Sequence, residues 1–449
     1  MTEAQQKLLT EQYDSLPYPR IPIEELPTNN YKSLFIDDLT TSYYLYQQKV
    51  INPHNQIILD VGCGSGWTTL NLAFANPHAK IVAIDLSQNS LDFARKRLDY
   101  HNIKNVEFHQ IAMENIHQLG YQYNYINCED VLYFSSDPVK SLKALQSVLK
   151  LDGIIRGDFH SYYQRFYYYQ SQELFRCLGL FDSNPDDFEI EVVAETIKNL
   201  QPHTILKRNT GSLFNNENID LTSDKTKQSI LMNHLIQDDK GFTIPQIFEL
   251  LNQSNLAFLS MVNWRQWDVR DLFKDRENIP TVWEFVLENA SEAEKLHLFE
   301  LLHPCHRLID FWCVNNNTII SIQSPSTWSK NDWQNAIIHL HPQFKYSVIK
   351  EDLLNSIRQQ NPWEVSKYIT LPTLNPVYIS SSQSALLLFL WDQSRTFEEL
   401  VNYWLKIQPI NLLTSQAKTI IEAQDEVIGL VQKLEIFLYL LVEKTNTIN

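Results

Sequence analysis

A glycine-rich turn flanked by acids is the part of the chain best suited to chemistry. Ile57–Val61 is a short apolar run that only Asp60 interrupts, and it is followed at alternate positions by Gly62, Gly64 and Gly66. A buried strand that passes through glycines into a helix allows a tight turn, close approach of the backbone to a ligand and free N–H groups at the helix start. A second strand, Lys80–Asp85, ends about 20 residues further on in a carboxylate that can accept hydrogen bonds from both hydroxyls of a ribose. The spacing therefore predicts a nucleotide pocket in an α/β protein.

The residue types around the turn favour S-adenosylmethionine over NAD as the ligand. A dinucleotide fingerprint has its third glycine at the position that Trp67 occupies in this chain. The carboxylate of Asp60, just before the first glycine, would repel a pyrophosphate but suits a cationic amino-acid group. An NAD-dependent oxidoreductase is the rival interpretation, and Trp67 counts against it.

Residues 57–160 resemble the class I S-adenosylmethionine-dependent methyltransferases, with a close match in the motif D-V-G-C-G-S-G at residues 60–66. The resemblance implies a Rossmann-like sheet of seven mostly parallel strands. It implies that the methionine end contacts the glycine turn, the ribose Asp85, the adenine residues 112–114 and the sulfonium residues 127–129. At the position where the family usually places an adenine-binding acid this chain has Ala112, so either Glu114 or a backbone carbonyl takes that role. The cofactor-binding residues expected in this part of the chain are Asp60, Gly62, Cys63, Gly64, Gly66, Asp85, Leu86, Met113, Glu114 and Asn127.

The N-terminal segment contains a Tyr-x-x-x-Pro-Tyr-Pro motif, which begins at Tyr13 and includes Tyr18. Two prolines fix an extended course and present the second tyrosine on a stiff segment. In methyltransferases with a similar opening this stretch lies over the cofactor, which makes both tyrosines candidate cofactor contacts. The alternative is an N-terminal arm packed on the edge of the sheet.

Two residues at predicted strand ends, Glu129 and His160, are the candidate acid–base groups. A neutral histidine could take a proton from an oxygen or nitrogen nucleophile. The alternative for His160 is a structural histidine that is hydrogen-bonded at a strand end. Because a sulfonium is a good leaving group, positioning and desolvation can suffice without any base.

Composition limits the classes of partner. The formal net charge of −16 argues against a surface that binds nucleic-acid phosphates. The five cysteines are scattered, as expected in a reducing cytosol, and the longest apolar runs are far shorter than a bilayer span. Three histidines near Cys305 do not form a known ligand set, so no metal is expected. We expect a cytoplasmic protein that contacts neither membrane nor nucleic acid.

The expected domain organisation has five parts. The C-terminal helices carry Glu398, Glu399 and Glu422 where a DNA reader would carry Lys and Arg, which favours protein contact or a homodimer. Periodicity predicts continuous helix over residues 281–302 and again over 423–443. The expected parts are a lid or helical arm at 1–50, a cofactor-binding core at 51–181, a cap or substrate insertion at 182–240, completion of the sheet at 241–315 and a mainly helical, winged-helix-like module at 316–449.

These features together predict a methyltransferase that uses S-adenosylmethionine and transfers the methyl group to a small-molecule or protein acceptor by in-line displacement. The alternative is a non-catalytic module with the same fold that acts through protein–protein contact.

Overall fold

The computed structural model describes residues 18–214, 220–318, 322–371 and 375–444. Tyr13 therefore lies outside the described residues, and its predicted role stays a prediction. The eight strands of the central sheet are β1 (Ile57–Val61), β2 (Lys80–Asp85), β3 (Val106–Gln110), β4 (Tyr123–Cys128), β5 (Leu149–Ser161), β6 (Gly241–Phe242), β7 (Leu256–Met261) and β8 (Leu308–Asn315).

The strand order of the central sheet is β3-β2-β1-β4-β5-β8-β7, and β6 pairs with β5. The first six strands run parallel to their neighbours, while β8 pairs antiparallel with both β5 and β7. The order reverses between β1 and β4, which leaves a crevice at their carboxyl ends. The structure confirms the predicted Rossmann-like fold class, and the short β6 raises the strand count from seven to eight.

Both faces of the sheet are buried, because apolar side chains occupy consecutive positions of its central strands. Ile58 joins one apolar core and its neighbour Leu59 joins another on the opposite face. The helices of this part are α1 (Tyr31–Asp37), α2 (Leu39–Gln47), α3 (Trp67–Ala75), α4 (Gln88–Tyr100), α5 (Pro138–Ser147), α6 (Tyr162–Cys177), α7 (Asp187–Asn199), α8 (Ile205–Thr210), α9 (Asp224–His234), α10 (Ile244–Gln253), α11 (Thr281–Asn289) and α12 (Glu292–Leu302).

Two helix predictions are corrected by the structure. The predicted helix over 281–302 is two helices, because Ser291 caps α12 in a capping box with Glu294 and interrupts the chain there. The predicted helix over 423–443 ends at Glu435, and the chain then forms a strand, Leu440–Lys444. A short continuous apolar run does not distinguish a buried strand from a helix by periodicity, so the pattern could not show this change.

The C-terminal region is mainly helical with a small antiparallel sheet. Its strands β9, β12 and β13 pair in the order β12-β9-β13, and β10 pairs with β11. The strands are β9 (Ala336–Leu340), β10 (Trp363–Glu364), β11 (Tyr378–Ile379), β12 (Arg395–Thr396) and β13 (Leu440–Lys444). The helices are α13 (Lys330–Gln334), α14 (Ser347–Gln359), α15 (Ser381–Phe389), α16 (Phe397–Ile407) and α17 (Ile420–Glu435).

One apolar core joins the C-terminal region to α1, α2 and one face of the central sheet. The hydroxyl of Tyr44 on α2 accepts a hydrogen bond from the backbone N–H of Val442 on β13 at 3.0 Å. Across the described ranges, no helix has both the length and the apolar character needed to cross a membrane.

Candidate active site

A cavity of about 740 Å³ lies at the carboxyl ends of β1 to β4, in the crevice that the strand order creates. The residues that line it come from the glycine turn, the ends of β2, β3 and β4, helix α1 and the segment before it. Side chains from β5 and β8, on the far side of β4, complete one end of the cavity. The cavity therefore runs along the edge of the sheet, and its two ends differ in chemistry.

The glycine turn has no room for side chains. A Cβ atom at Gly64, where φ is +50°, would lie 2.2 Å from the carbonyl oxygen of Tyr18. A Cβ atom at Gly66, where φ is +78°, would lie 2.7 Å from the Cβ of Ala94 on α4. Gly64 thus lets the N-terminal segment lie directly on the turn, and Gly66 lets α4 pack closely against the turn.

The segment after Tyr18 is fastened to the turn by hydrogen bonds. The N–H of Ser65 donates to the Tyr18 carbonyl at 2.8 Å, and its hydroxyl donates to the Pro19 carbonyl at 2.7 Å. The buried guanidinium of Arg97 donates to the Ile21 carbonyl at 2.6 Å and to the Ser65 carbonyl at 3.0 Å. Burial, followed by the charge of a nearby carboxylate, raises the pKa of the Tyr18 phenol to about 12. Tyr18 is thereby held as a neutral wall of the cavity, a position compatible with its predicted contact to the cofactor.

Asp85 lines the cavity together with Leu86 and Cys63. Its two carboxylate oxygens accept hydrogen bonds from the backbone N–H groups of Gly64 at 2.8 Å and Ser87 at 2.9 Å. The acid therefore ties the glycine turn to the end of β2. This geometry fixes the carboxylate where the sequence predicts a ribose-binding group.

Asp60 and Asn127, two predicted cofactor contacts, are buried and are not among the residues that line the cavity, so their contact with the cofactor stays a prediction. Asp60 is 1% exposed and accepts hydrogen bonds from the Thr69 hydroxyl at 2.6 Å and the Asn127 amide at 3.0 Å. Burial raises the pKa of Asp60 to about 6. Because Asp60 shares the face of β1 that α3 covers, its carboxylate is used to join β1, β4 and α3.

Met113 and Glu114 line the end of the cavity that lies next to β3. Both residues belong to a 3-10 helix at Met113–Leu119, next to the amino end of α5. This position fits the predicted adenine site, and both alternatives for adenine recognition, the Glu114 side chain and a backbone carbonyl, are available there.

A buried charge cluster closes the end of the cavity over β4, β5 and β8. The guanidinium of Arg156 donates to Asp37 at 3.0 Å, to Glu129 at 3.0 Å and to Asp310 at 2.8 Å. Arg156 lies two residues after Ile154 and therefore on the same face of β5, towards α1. Burial raises the pKa of Glu129 to about 7 against the opposing effect of Arg156, and burial raises the pKa of Asp37 well above its usual range. Within the part of the chain that the structure describes, no group of three or more His, Cys, Asp and Glu residues could hold a metal ion.

Asp130 is held in a sterically unfavourable conformation beside this cluster. Its φ of +57° is in the left-handed region, and its N–H donates to both carboxylate oxygens of Asp158, at 3.1 and 3.0 Å. Its own carboxylate accepts from Arg307 at 3.1 Å and from the Tyr133 hydroxyl at 3.2 Å. The surrounding contacts thus fix one more carboxylate at this end of the cavity.

His160 is not part of the cavity wall, and its role as a catalytic base stays a prediction. The side chain is fully buried and stacks on the Tyr133 ring at 3.8 Å. Arg307 can only donate, so the Nε2 atom of His160 accepts from it at 2.9 Å, and Nδ1–H donates to Asp239 at 2.6 Å. Burial lowers the pKa of His160. The histidine is neutral, packs against the cavity residue Tyr133 and orients Arg307 towards Asp130.

Several cavity residues were missed by the sequence analysis. Arg156 and Asp310 lie inside apolar strands, and no sequence pattern singled out the α1 residues. A charged residue in the middle of an apolar strand was the signal that could have identified Arg156 and Asp310. The missed residues that line the cavity include Lys32, Ser33, Ile36, Asp37, Asn71, Arg156 and Asp310.

The residues present fit S-adenosylmethionine. The Oδ1 atom of Asn71 is buried and has no hydrogen-bond partner among the described residues, while Asn71 itself lines the cavity. Such an atom is left to satisfy a ligand donor. The backbone of the glycine turn, the carboxylate of Asp85 and this orphaned carbonyl together provide a polar wall for the nucleoside and amino-acid parts of the cofactor.

Replacing Asp85 by alanine should weaken binding of S-adenosylhomocysteine by about 10- to 100-fold, because the ribose loses its acceptor and the N–H of Gly64 loses its partner. Calorimetric titration would measure the dissociation constant. The Asp85→Asn variant keeps one carbonyl oxygen and should lose less. Equal affinity in all three proteins would show that the ribose lies elsewhere.

Comparisons with known proteins identify a methyltransferase domain in this part of the chain. The model of a family described as "Methyltransferase domain" matches residues 53–210. An uncharacterized protein of Synechococcus sp. is 24% identical over 295 residues, which are 65% of this chain and 67% of that protein. The ubiquinone biosynthesis O-methyltransferase of Acinetobacter baylyi is 33% identical over 98 residues, but these span only 21% of this chain and 40% of the enzyme.

A solved structure extends the likeness beyond the family model. The structure of PKMT2 from Rickettsia typhi in complex with AdoHcy has a TM-score of 0.59 at 17% identity, and covers 96% of this chain and 78% of that chain. At this identity the likeness shows the fold, and it includes the C-terminal region. The matched family model, the sheet order and the glycine turn agree that residues 53–210 form a methyltransferase domain, and the fold is that of the S-adenosylmethionine-dependent methyltransferases.

Proposed function

We propose that this methyltransferase acts on an amine nitrogen of its acceptor. The observation that carries the proposal is the charge at the end of the cavity over β4, β5 and β8. Four carboxylates line that end, those of Asp37, Glu129, Asp130 and Asp310, against two guanidinium groups, those of Arg156 and Arg307. The two guanidinium groups and the single net positive charge of the cofactor leave one of the four carboxylates without a cation. A protonated amine would balance that charge and would favour the ionised forms of Asp37 and Glu129, which burial disfavours.

Residues of the chain supply three actions in the reaction. The glycine turn, Asp85 and the residues after β3 would hold S-adenosylmethionine, which supplies a methyl group on a sulfonium when it is bound. The carboxylate cluster attracts the ammonium form of the acceptor and orients it. Glu129, whose pKa is near 7, accepts the proton from that ammonium, so that the nitrogen has a free electron pair for the methyl carbon.

The Glu129→Gln variant should lose about 100-fold or more in kcat, because the amide cannot accept a proton. In the unmodified enzyme a protonated Glu129 is inactive, so kcat/KM should rise about tenfold per pH unit below pH 7 and level off above it. The residual activity of the Glu129→Gln variant should not show this rise of kcat/KM below pH 7. The measurement is the rate of methyl transfer between pH 5.5 and 9. An exposed carboxylate far from the cavity provides the control, since Glu173→Gln should keep the full pH profile.

The class of acceptor can be tested with radiolabelled S-adenosylmethionine and an extract of the source organism. One portion of the extract is acetylated at its amines and then treated with hydroxylamine, which restores acetylated hydroxyl groups. We expect label in the untreated portion and little in the acetylated one. Equal labelling of both portions would refute an amine acceptor. Separation of the extract by size then tells a protein acceptor from a small molecule.

An oxygen acceptor is the second candidate. It is favoured by the 33% identity to the ubiquinone biosynthesis O-methyltransferase over 98 residues of the cofactor-binding part. In that case Glu129 would take the proton of a hydroxyl group, and label would persist after amine acetylation.

The remaining predictions of the sequence analysis are kept as part of this proposal. We place the protein in the cytoplasm, with a protein partner or a second copy bound through the C-terminal region, and expect no nucleic acid. We also keep the five-part division of the chain, with the insertion at 182–240 as the substrate cap. The helices α7 and α9 and the loop between Cys177 and Asp187 share a small apolar core, which supports treating this insertion as a unit.

A further inference from the structure

Two consecutive buried aspartates join the cavity to the C-terminal region. Asp37 ends α1 and accepts from Arg156 at 3.0 Å inside the charge cluster. Asp38 follows it, caps α2 by accepting from the Thr40 N–H at 2.8 Å, and accepts from the side-chain amide of Gln343 at 2.8 Å. The two aspartates are 3% and 4% exposed. Movement of one of these carboxylates would therefore move the other.

Gln343 belongs to a turn that follows β9, and a buried histidine holds this turn against α1 and α2. The N–H of Gln343 donates to Nδ1 of His341 at 3.2 Å, so the ring proton is on Nε2. That atom lies 3.1 Å from the Thr41 hydroxyl, which in turn donates to the carbonyl of Phe35. The Phe35 ring lies 4.5 Å from the histidine ring. All polar groups of the turn that face the two helices are thus hydrogen-bonded.

Further contacts between the same two parts lie on either side of this turn. The ring of Tyr31, at the start of α1, meets the rings of Tyr346 and Tyr368 edge-on at 5.3 and 5.4 Å. At the other end of the pair, Tyr44 on α2 bonds to β13. The C-terminal region therefore holds α1 along its length, and α1 is the helix that contributes Ser33, Ile36 and Asp37 to the cavity wall.

We propose that Gln343 is a positioning residue for the cofactor cavity, and that attachment of the C-terminal region to α1 and α2 is thermodynamically linked to cofactor binding. The route is the contact of Gln343 with Asp38, the peptide that joins Asp38 to Asp37, and the contact of Asp37 with Arg156. This inference does not depend on which atom the enzyme methylates. It gives the C-terminal region a role in the methyltransferase itself, in addition to any partner that it binds.

Thermodynamic linkage between cofactor binding and attachment of the C-terminal region acts equally in both directions. If attachment of the C-terminal region improves the cavity, an occupied cavity must stabilise that attachment by the same factor. S-adenosylhomocysteine should therefore slow amide hydrogen exchange at residues 341–346 in the unmodified full-length protein. Exchange within α16, which has no hydrogen bond to α1 or α2 among the bonds between described residues, should change much less.

The decisive variant is Gln343→Ala in the full-length chain. We expect it to bind S-adenosylhomocysteine about tenfold more weakly by calorimetry, a factor within the usual range for coupled sites. The matched control is Gln432→Ala, which also removes one glutamine contact of the C-terminal region, a 3.1 Å bond to the Pro325 carbonyl, but does not touch α1 or α2. The control should bind as the unmodified protein does.

Two outcomes would overturn the inference. Unchanged affinity in a folded Gln343→Ala protein would show that the contact does not reach the cavity. Equal weakening in both variants would show a general effect of destabilisation. If Gln343→Ala does not fold, the exchange measurement on the unmodified protein decides alone: no added protection at residues 341–346 with saturating S-adenosylhomocysteine would refute the linkage.

Discussion

Replacing Arg156 by methionine should lower the free energy of unfolding by about 3–5 kcal/mol at pH 8, because the change leaves the buried carboxylate of Asp37 and the partly buried carboxylates of Glu129 and Asp310 without their cation. Arg156 is 4% exposed, and its partners lie within 3.0 Å. A methionine fills a similar volume and supplies no charge, so the loss reports on electrostatics rather than on a cavity. Unfolding in urea, followed by tryptophan fluorescence, measures the difference.

The size of this loss should depend on pH, with a definite sign. The guanidinium lowers the pKa values of Asp37 and Glu129, which burial raises. Without it their folded-state values rise further above the unfolded ones, and such a group loses stability as the pH rises through its folded pKa. The difference between the variant and the unmodified protein should therefore be smaller at pH 5 than at pH 8. Loss of cofactor binding should accompany it at the higher pH.

A second arginine provides the matched control. Arg276 also contacts two carboxylates, Asp268 and Asp271, but its side chain is 43% exposed. Water can solvate those acids when the cation is removed, so Arg276→Met should cost no more than about 1 kcal/mol. If the two variants lose equal stability at pH 8, the buried cluster does not have the energetic role that its geometry assigns to it.

The two ends of the cavity differ in how well sequence patterns could predict their residues. The glycine turn and Asp85 could be predicted because their chemistry depends on spacing within one strand–turn–helix unit. The charge cluster could not, because Arg156 meets Asp37 across 119 residues and Asp310 across 154. No local pattern relates residues so far apart, and only the strand order brings them together.

The burial and direction of individual side chains also could not be predicted from the sequence. His160 was correctly placed at a strand end, but its ring lies beneath Tyr133 and bonds to Asp239 from an insertion far along the chain. Asp60 was correctly placed beside the turn, yet its carboxylate faces α3. In both cases the position along the strand was predictable, while the direction of the side chain depended on helices whose packing the pattern does not describe.

The Gly64→Ala substitution should weaken binding of S-adenosylhomocysteine by about 100-fold, or ~2.7 kcal/mol, without unfolding the protein. The new methyl group would stand 2.2 Å from the Tyr18 carbonyl, which is backbone and cannot rotate away. To make room, the N-terminal segment must leave the turn, which breaks its bond from Ser65 and removes Tyr18 from the cavity wall. Calorimetric titration gives the affinity, and circular dichroism checks the fold.

Backbone strain alone would also weaken such a variant, so the control must share it. Gly120 has a φ of +71°, and a Cβ atom there meets nothing within 4 Å. Gly120→Ala therefore carries the conformational cost of about 1 kcal/mol for a left-handed alanine, but no collision. It should bind S-adenosylhomocysteine normally with slightly lower stability. If Gly64→Ala also bound normally, the segment around Tyr18 would not rest on the glycine turn in solution, and the cavity would have to be closed by another part of the chain.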